Sequence, residues 1–210
     1  VKTNITKKDF IGILLNYNLG EYIKSKLFTK GAVQTNFLLE TTKGKFVFRH
    51  FENRSLNSVL FESNLIKFLN GKNYPCPNQY KNKHGKFVDI YRGKPFIIFE
   101  FIERKHLKKP NKNRKIQLIR RVAELHNITK NYNPPYKEYR WNYNIDLCKR
   151  LAQREAKKIN TLDSIKKLKW FNKELSKIKL PDSLPKGICH CDFHFSNVLF
   201  EKGKFKALID

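Results

Sequence analysis

The sequence predicts an α+β fold in two lobes: a small antiparallel-sheet lobe over residues 1–101, then a mainly helical lobe over residues 102–210. Two observations carry this. Before residue 102, short runs rich in Phe, Ile and Val are separated by Gly-containing turns, the pattern of hairpins. After it, apolar residues recur at three- and four-residue steps over long stretches, the pattern of helices with one buried face. Strands first and helices second, rather than in alternation, is the order of a segregated α+β architecture.

Thr6 can cap a first helix, whose apolar positions Phe10, Ile13, Leu14 and Tyr17 follow helical spacing before it ends near Asn18-Leu19-Gly20. Residues 30–36 read as a loop leading into a strand over 37–40. Thr41-Thr42-Lys43-Gly44 reads as a turn, and residues 46–50 as the returning strand with Arg49 near its end. A helix over 56–70 stops at Gly71. Pro75-Cys76-Pro77 fixes an extended link. A second hairpin then pairs 86–91 with 94–99 around Arg92-Gly93. In the second lobe, helices are expected over 113–127, 144–159 and 162–178. Their inward stripes are expected at Ile116, Ile119, Val122, Ala123 and His126, at Leu147, Leu151 and Ala152, and at Ile165, Leu168, Phe171 and Leu175. His126 is thus expected as a packed core histidine. A two-lobed layout of this kind puts a ligand cleft between the lobes.

The last residues carry the chemistry. His190 stands two before Asp192, and Asn197 stands five after it. A short apolar strand over 197–200, a Glu201-Lys202-Gly203-Lys204 turn and a second strand ending on Asp210 follow. The spacing is that of the protein-kinase catalytic loop H-R-D-x-x-x-x-N with a metal-binding Asp on a later strand. Phosphoryl transfer from ATP needs an aimed hydroxyl and neutralised charge rather than covalent help. Asp192 is therefore the candidate to accept or orient the hydroxyl proton. Asn197 offers a neutral oxygen and Asp210 a charged one, a donor set suited to magnesium. His190 is better placed to brace the loop than to react.

Composition limits the alternatives. The chain has 210 residues, 40% of them hydrophobic and 17 of them Phe, so it can bury a core and is not a disordered tail. No apolar run reaches the roughly 18 residues of a membrane span, and Val1-Lys2-Thr3-Asn4 does not open a signal peptide. The cytoplasm is the expected location, with no membrane partner. The net charge of +26 invites a nucleic-acid reading. Against it, the cations are spread along the chain, and Arg, which dominates base and bidentate phosphate contacts, is the minority cation. No dedicated nucleic-acid partner is expected, and a basic nucleic-acid-binding module is the non-enzyme alternative. Cys189, Cys191 and the histidines beside them lack the second Cys pair of a structural zinc site, so reduced thiols are expected at all four cysteines. The chain contains no Met and ends in mid-motif, which reads as a fragment truncated after Asp210.

With both lobes laid out, the sequence resembles the aminoglycoside phosphotransferase and choline kinase superfamily, small-molecule kinases with a protein-kinase-like fold. That family's H-[GA]-D-x-x-x-x-N-[VIL] stretch is matched by His190-Cys191-Asp192-Phe193-His194-Phe195-Ser196-Asn197-Val198, and its following [IL]-D by Ile209-Asp210. Within the superfamily it is most similar to the homoserine kinases of the phosphotransferase-fold type. That similarity rests on Gly31-Ala32-Val33-Gln34-Thr35-Asn36-Phe37-Leu38, Tyr74-Pro75-Cys76-Pro77 and Leu184-Pro185-Lys186-Gly187. His194 is a departure, since homoserine kinases tend to differ there.

The resemblance implies Asp192 as catalytic base, Asn197 and Asp210 as magnesium ligands, and Arg49 as the basic residue over the ATP phosphates. Glu62 is implied as the partner that holds Arg49. Gly31 to Phe37 is implied as the nucleotide-covering loop, with Thr35 and Asn36 near phosphate. The backbone of Glu100 and Ile102 is implied as the hinge that reads adenine. The implied reaction is transfer of a phosphoryl group from ATP to a small-molecule hydroxyl, homoserine being favoured and threonine biosynthesis the setting. Aminoglycoside, choline or ethanolamine, sugar and methylthioribose kinases are the alternatives within the superfamily.

Overall fold

The computed structural model describes residues 3–29, 33–103, 110–140, 142–181 and 183–209. Internal contacts divide the chain into two compact units, Val1–Tyr139 with Ile188–Asp210, and Arg140–Gly187.

In the first unit, Thr6 caps α1 (Lys7–Leu14) through a reciprocal box with Asp9. The helix is shorter than its apolar pattern suggested. Tyr17 lies beyond it, in a bridge to Asn82, and is buried there. Five antiparallel strands follow, β1 (Tyr22–Leu27), β2 (Thr35–Thr41), β3 (Gly44–His50), β4 (Val88–Tyr91) and β5 (Lys94–Glu100), in the order β1-β2-β3-β5-β4. Strand β1 has no counterpart in the sequence reading. Its residues are mostly exposed, it pairs on one side only, and its register shifts between Tyr22 and Lys24.

Helix α2 (Leu56–Gly71), capped by Ser55, connects β3 to β4. The period-2 alternation of the strands then sorts their residues between two helices. Phe37, Leu39, Phe46, Phe48, Phe96 and Ile98 pack with Phe10, Ile13 and Leu14 of α1. Val47, Val88, Ile97 and Phe99 face the other way and pack with Val59, Leu60 and Ile66 of α2. Covered on both faces, β5 is buried along almost its whole length.

Helix α3 (Lys112–Thr129) and the hairpin β6 (Val198–Glu201) and β7 (Lys204–Leu208) share a further core with Leu69 and Tyr74. The inward face of α3 is not the expected one. Leu118, Leu125 and Ile128 pack into the core, whereas Ile116, Ile119, Ala123 and His126 are exposed. The reason is polar: Gln117 donates to the Gly203 carbonyl and accepts from the Phe205 amide, which turns its side of the helix onto the hairpin. His126 is therefore a surface residue among the described ones.

The second unit is a helical hairpin of α4 (Ile145–Ile159) and α5 (Leu162–Ser176). Asn160, in the left-handed conformation at φ 50°, ends α4, and Thr161 begins α5 with a capping box to Ser164. No described helix is long and apolar enough to cross a membrane.

Candidate active site

Strand alternation puts Arg49 on the α2 side of β3, between Asn36 on β2 and Ile97 on β5. Its guanidinium lies 5.5 Å from the Phe99 ring centroid. Arg49 Nε donates to Asn36 Oδ1 at 3.1 Å, and Nη2 donates to the Ile209 carbonyl at 3.1 Å. Nη1 lies 3.7 Å from Oε1 of Glu62, an ionic contact rather than a hydrogen bond. The other oxygen of Glu62 accepts a hydrogen bond from Arg54. Arg54 did not figure in the sequence reading. The signal that could have found it is a second arginine at the mouth of the helix that carries Glu62, immediately before the Ser55 cap.

The Asp192 loop is held from within. The backbone N–H of Asp192 donates to His190 Nδ1 at 3.2 Å, so His190 braces the turn. Between them Cys191 takes φ 62°, in the left-handed region that small residues and glycine enter most readily. Asn197 Nδ2 donates to Oδ2 and to the main-chain oxygen of Asp192, both at 2.9 Å. His194 caps the 3-10 turn Phe195–Asn197 through Nδ1, which accepts from the Ser196 amide. The Asn197 carbonyl accepts from the Ile209 amide at 2.9 Å, and the Leu208 amide donates to Pro75. The loop, the end of β7 and the link after α2 are thereby sewn together.

Arg49 joins this assembly to the sheet. Through the Ile209 carbonyl it comes within one residue of Asp210, which itself lies outside the described residues. Gly31 and Ala32, expected in a nucleotide-covering loop, lie outside them too.

The Thr35 side chain, expected near phosphate, does not lie on the face of the sheet that carries Arg49. It shares its side of the sheet with Phe37 and His50, opposite Arg49, is fully buried, and gives its hydroxyl proton to Glu52 at 2.5 Å. A strand's period of two separates it from Asn36, which does reach Arg49. At the expected hinge, the Glu100 amide donates to the Asn78 carbonyl at 2.9 Å, and the Glu100 carboxylate accepts from the Asn78 side chain. That amide is therefore committed within the protein. Ile102 lies half-buried in the irregular segment after β5.

Among the described residues, no group of three or more His, Cys, Asp or Glu could hold a metal ion, and the four cysteines are free thiols. Burial and the neighbouring Cys189 push the Cys191 thiol above its ordinary pKa. The Asn197 amide oxygen, beside Asp192, accepts from the Ser196 hydroxyl at 3.3 Å. A concavity of about 350 Å³ lined by Lys8, Asp9, Asn16, Asp89 and Tyr91 opens on the α1 side of the sheet, and none of the residues above lines it.

The chain is 26% identical to a homoserine kinase of Bartonella henselae and 27% identical to one of Caulobacter vibrioides, in each case over its whole length and 66% of theirs. It therefore spans a little under two thirds of the length of these relatives. Among solved structures it is similar to an amicoumacin kinase, with a TM-score of 0.73 and 16% identity over 97% of this chain and 62% of that one. It is also similar to a microcompartment-associated aminopropanol kinase, with a TM-score of 0.64 and 14% identity over 98% of this chain and 69% of that one. At those identities the likeness shows a kinase-like fold. A model of the phosphotransferase enzyme family matches residues 24–210, nearly nine tenths of the sequence, and the chain belongs to that family.

Proposed function

We propose that this protein is an ATP-dependent kinase that phosphorylates the hydroxyl of a small molecule, with L-homoserine as the acceptor and O-phospho-L-homoserine as the product. The observation that carries the reading is the joining of Asp192, Asn197 and Arg49 into one assembly through Ile209, whose amide donates to the Asn197 carbonyl and whose carbonyl accepts from Arg49. The homoserine kinases among its relatives support the acceptor. The amicoumacin kinase, solved with AMP-PNP and Ca2+, supports a nucleotide with a divalent cation.

In this reading residues 1–101 form the nucleotide lobe and residues 102–210 carry the catalytic loop. Asn197 holds the Asp192 carboxylate by a hydrogen bond and leaves that carboxylate able to accept the acceptor's hydroxyl proton. Arg49 lies on the same assembly as a fixed positive group for phosphate, its fork oriented by Asn36 and Ile209. Asn197 and Asp210 would hold a magnesium ion, which when bound supplies neutralisation of phosphate charge. Glu100 and Ile102 would flank the adenine.

A coupled ADP-release assay on the intact protein tests the acceptor, and homoserine should stimulate turnover over the ATP-only rate. Stimulation by another alcohol but not by homoserine would remove the acceptor assignment and leave the kinase reading standing. Asp192→Asn should lower kcat by about 10²–10⁴, the usual contribution of a general base. ATP binding by that variant should stay near wild type. Turnover near the wild-type rate would overturn the role given to Asp192.

A further inference from the structure

Resting on the kinase reading, we infer that Arg54 is a positioning residue for the nucleotide site, acting through Glu62. The tighter partner of Glu62 is not Arg49, at 3.7 Å, but Arg54, whose Nη1 makes a direct hydrogen bond to Oε2. Arg54 holds one carboxylate oxygen, and the other is thereby turned to Arg49.

Arg54 is able to do this because its own position is determined. The residues between β3 and α2 are anchored at both ends. The Phe51 amide donates to Pro95 and the Glu52 amide to the Gln34 side chain, while Ser55 caps α2. The Arg54 guanidinium lies 5.6 Å from the centroid of the Phe51 ring, and that ring is buried. The first turn of α2 carries no acidic residue, so Arg54 reaches along the helix to Glu62 in the second turn. Its side chain is 27% exposed and that of Glu62 is 19% exposed, so the pair is screened from water far better than a surface ion pair. A carboxylate left without this anchor can change rotamer, and Arg49 then loses one of the groups that orient its fork. Arg54 therefore shapes the phosphate site without being required to touch phosphate.

The test is ATP affinity, measured by titration and as KM, in the intact protein and in Arg54→Ala, Arg54→Lys, Glu62→Ala and the Arg54→Ala/Glu62→Ala double variant. Arg54→Ala should weaken ATP about tenfold, equivalent to about 1.4 kcal/mol, and leave the acceptor KM within about twofold. Arg54→Lys should recover most of the loss, because one N–H suffices for Glu62 Oε2. The double variant should match Glu62→Ala alone, as expected for residues acting in series. ATP affinity unchanged in folded Arg54→Ala overturns the inference. So do single losses that multiply in the double variant, which would mean that Arg54 acts on phosphate directly. Should Arg54→Ala fail to fold, Arg54→Gln, which retains side-chain cover over Phe51, takes its place in both comparisons. Failure of the unaltered protein to bind ATP is a separate result: it overturns the kinase reading before any substitution is made, and this assignment with it.

Discussion

Arg49 and His50 are neighbours on β3, yet their side chains enter two ionic networks on opposite faces of one sheet. On the α1 face the hub is an anion. Glu52 accepts from the Thr3 amide and hydroxyl, from Thr35 and from Lys94, with His50 Nδ1 at 3.5 Å. On the α2 face the hub is a cation. Arg49 distributes its fork to Asn36, Glu62 and the Ile209 carbonyl. The Glu52 side chain is 4% exposed and its donors tie the chain's start, β2 and β5 to the end of β3. Arg49 instead links the sheet to the hairpin behind the Asp192 loop. The difference teaches that a buried charge surrounded by its donors holds the sheet together, while a charge at a junction of elements ties the sheet to the segment behind the Asp192 loop.

Substitutions can separate the two. The largest effect is expected for Arg49→Ala, which should lower kcat/KM for ATP about 10²–10³-fold, the cost of removing a fixed charge-stabilising group. Its thermal midpoint should move little, because the Phe99 ring and the neighbouring strands remain packed. Next, Glu52→Gln should cost about 2–3 kcal/mol of stability by urea denaturation, since hydrogen bonds to a buried charge are lost. Its KM for ATP should stay at the wild-type value. If both variants lose stability and ATP affinity in proportion, the faces are not separate in function.

The acid limb of stability gives a further test. Burial opposes ionisation of Glu52, but the Lys94 ammonium, the Thr3 amide and the Thr35 hydroxyl outweigh it and hold the carboxyl well below the carboxylate range. A group whose folded pKa is depressed stabilises the fold fully above its unfolded pKa and loses that contribution as pH falls. The stability gap between wild type and Glu52→Gln should thus be full above pH 4.5 and shrink progressively below it. A gap that stays constant through the acid range would mean that Glu52 is not the titrating group. The smallest effect is expected for Thr35→Val, about 1 kcal/mol for one hydrogen bond, with ATP kinetics unchanged. The adjacent Asn36→Ala should instead raise the KM for ATP and leave the urea midpoint in place.

Much of the fold was legible in advance, and the omissions have physical causes. The β2–β3 and β4–β5 hairpins, α2 and α4 announce themselves through alternation, turn glycines and caps. Strand β1 does not, because an exposed edge strand buries too little to impose a pattern. On α3 two stripes compete, and the apolar residues Ile116 and Ile119 suggested the wrong one. Gln117 decides the matter by satisfying the β6–β7 turn, a partner 86 residues away. In the site, the spacing of His190, Asp192 and Asn197 could be read directly, since their hydrogen bonds span two and five residues.

The sequence by itself determined the order of elements, the Asp192 loop and the presence of Arg49 near a strand end. These depend on contacts within a turn or two of chain, where spacing and periodicity are sufficient. Only the tertiary structure decided that the Thr35 hydroxyl reaches Glu52, that Arg54 takes one oxygen of Glu62, and that Arg49 reaches Ile209 across 160 residues. Those contacts are made by strand order, helix docking and the seating of a hairpin, which arise from packing the whole unit rather than from any local pattern.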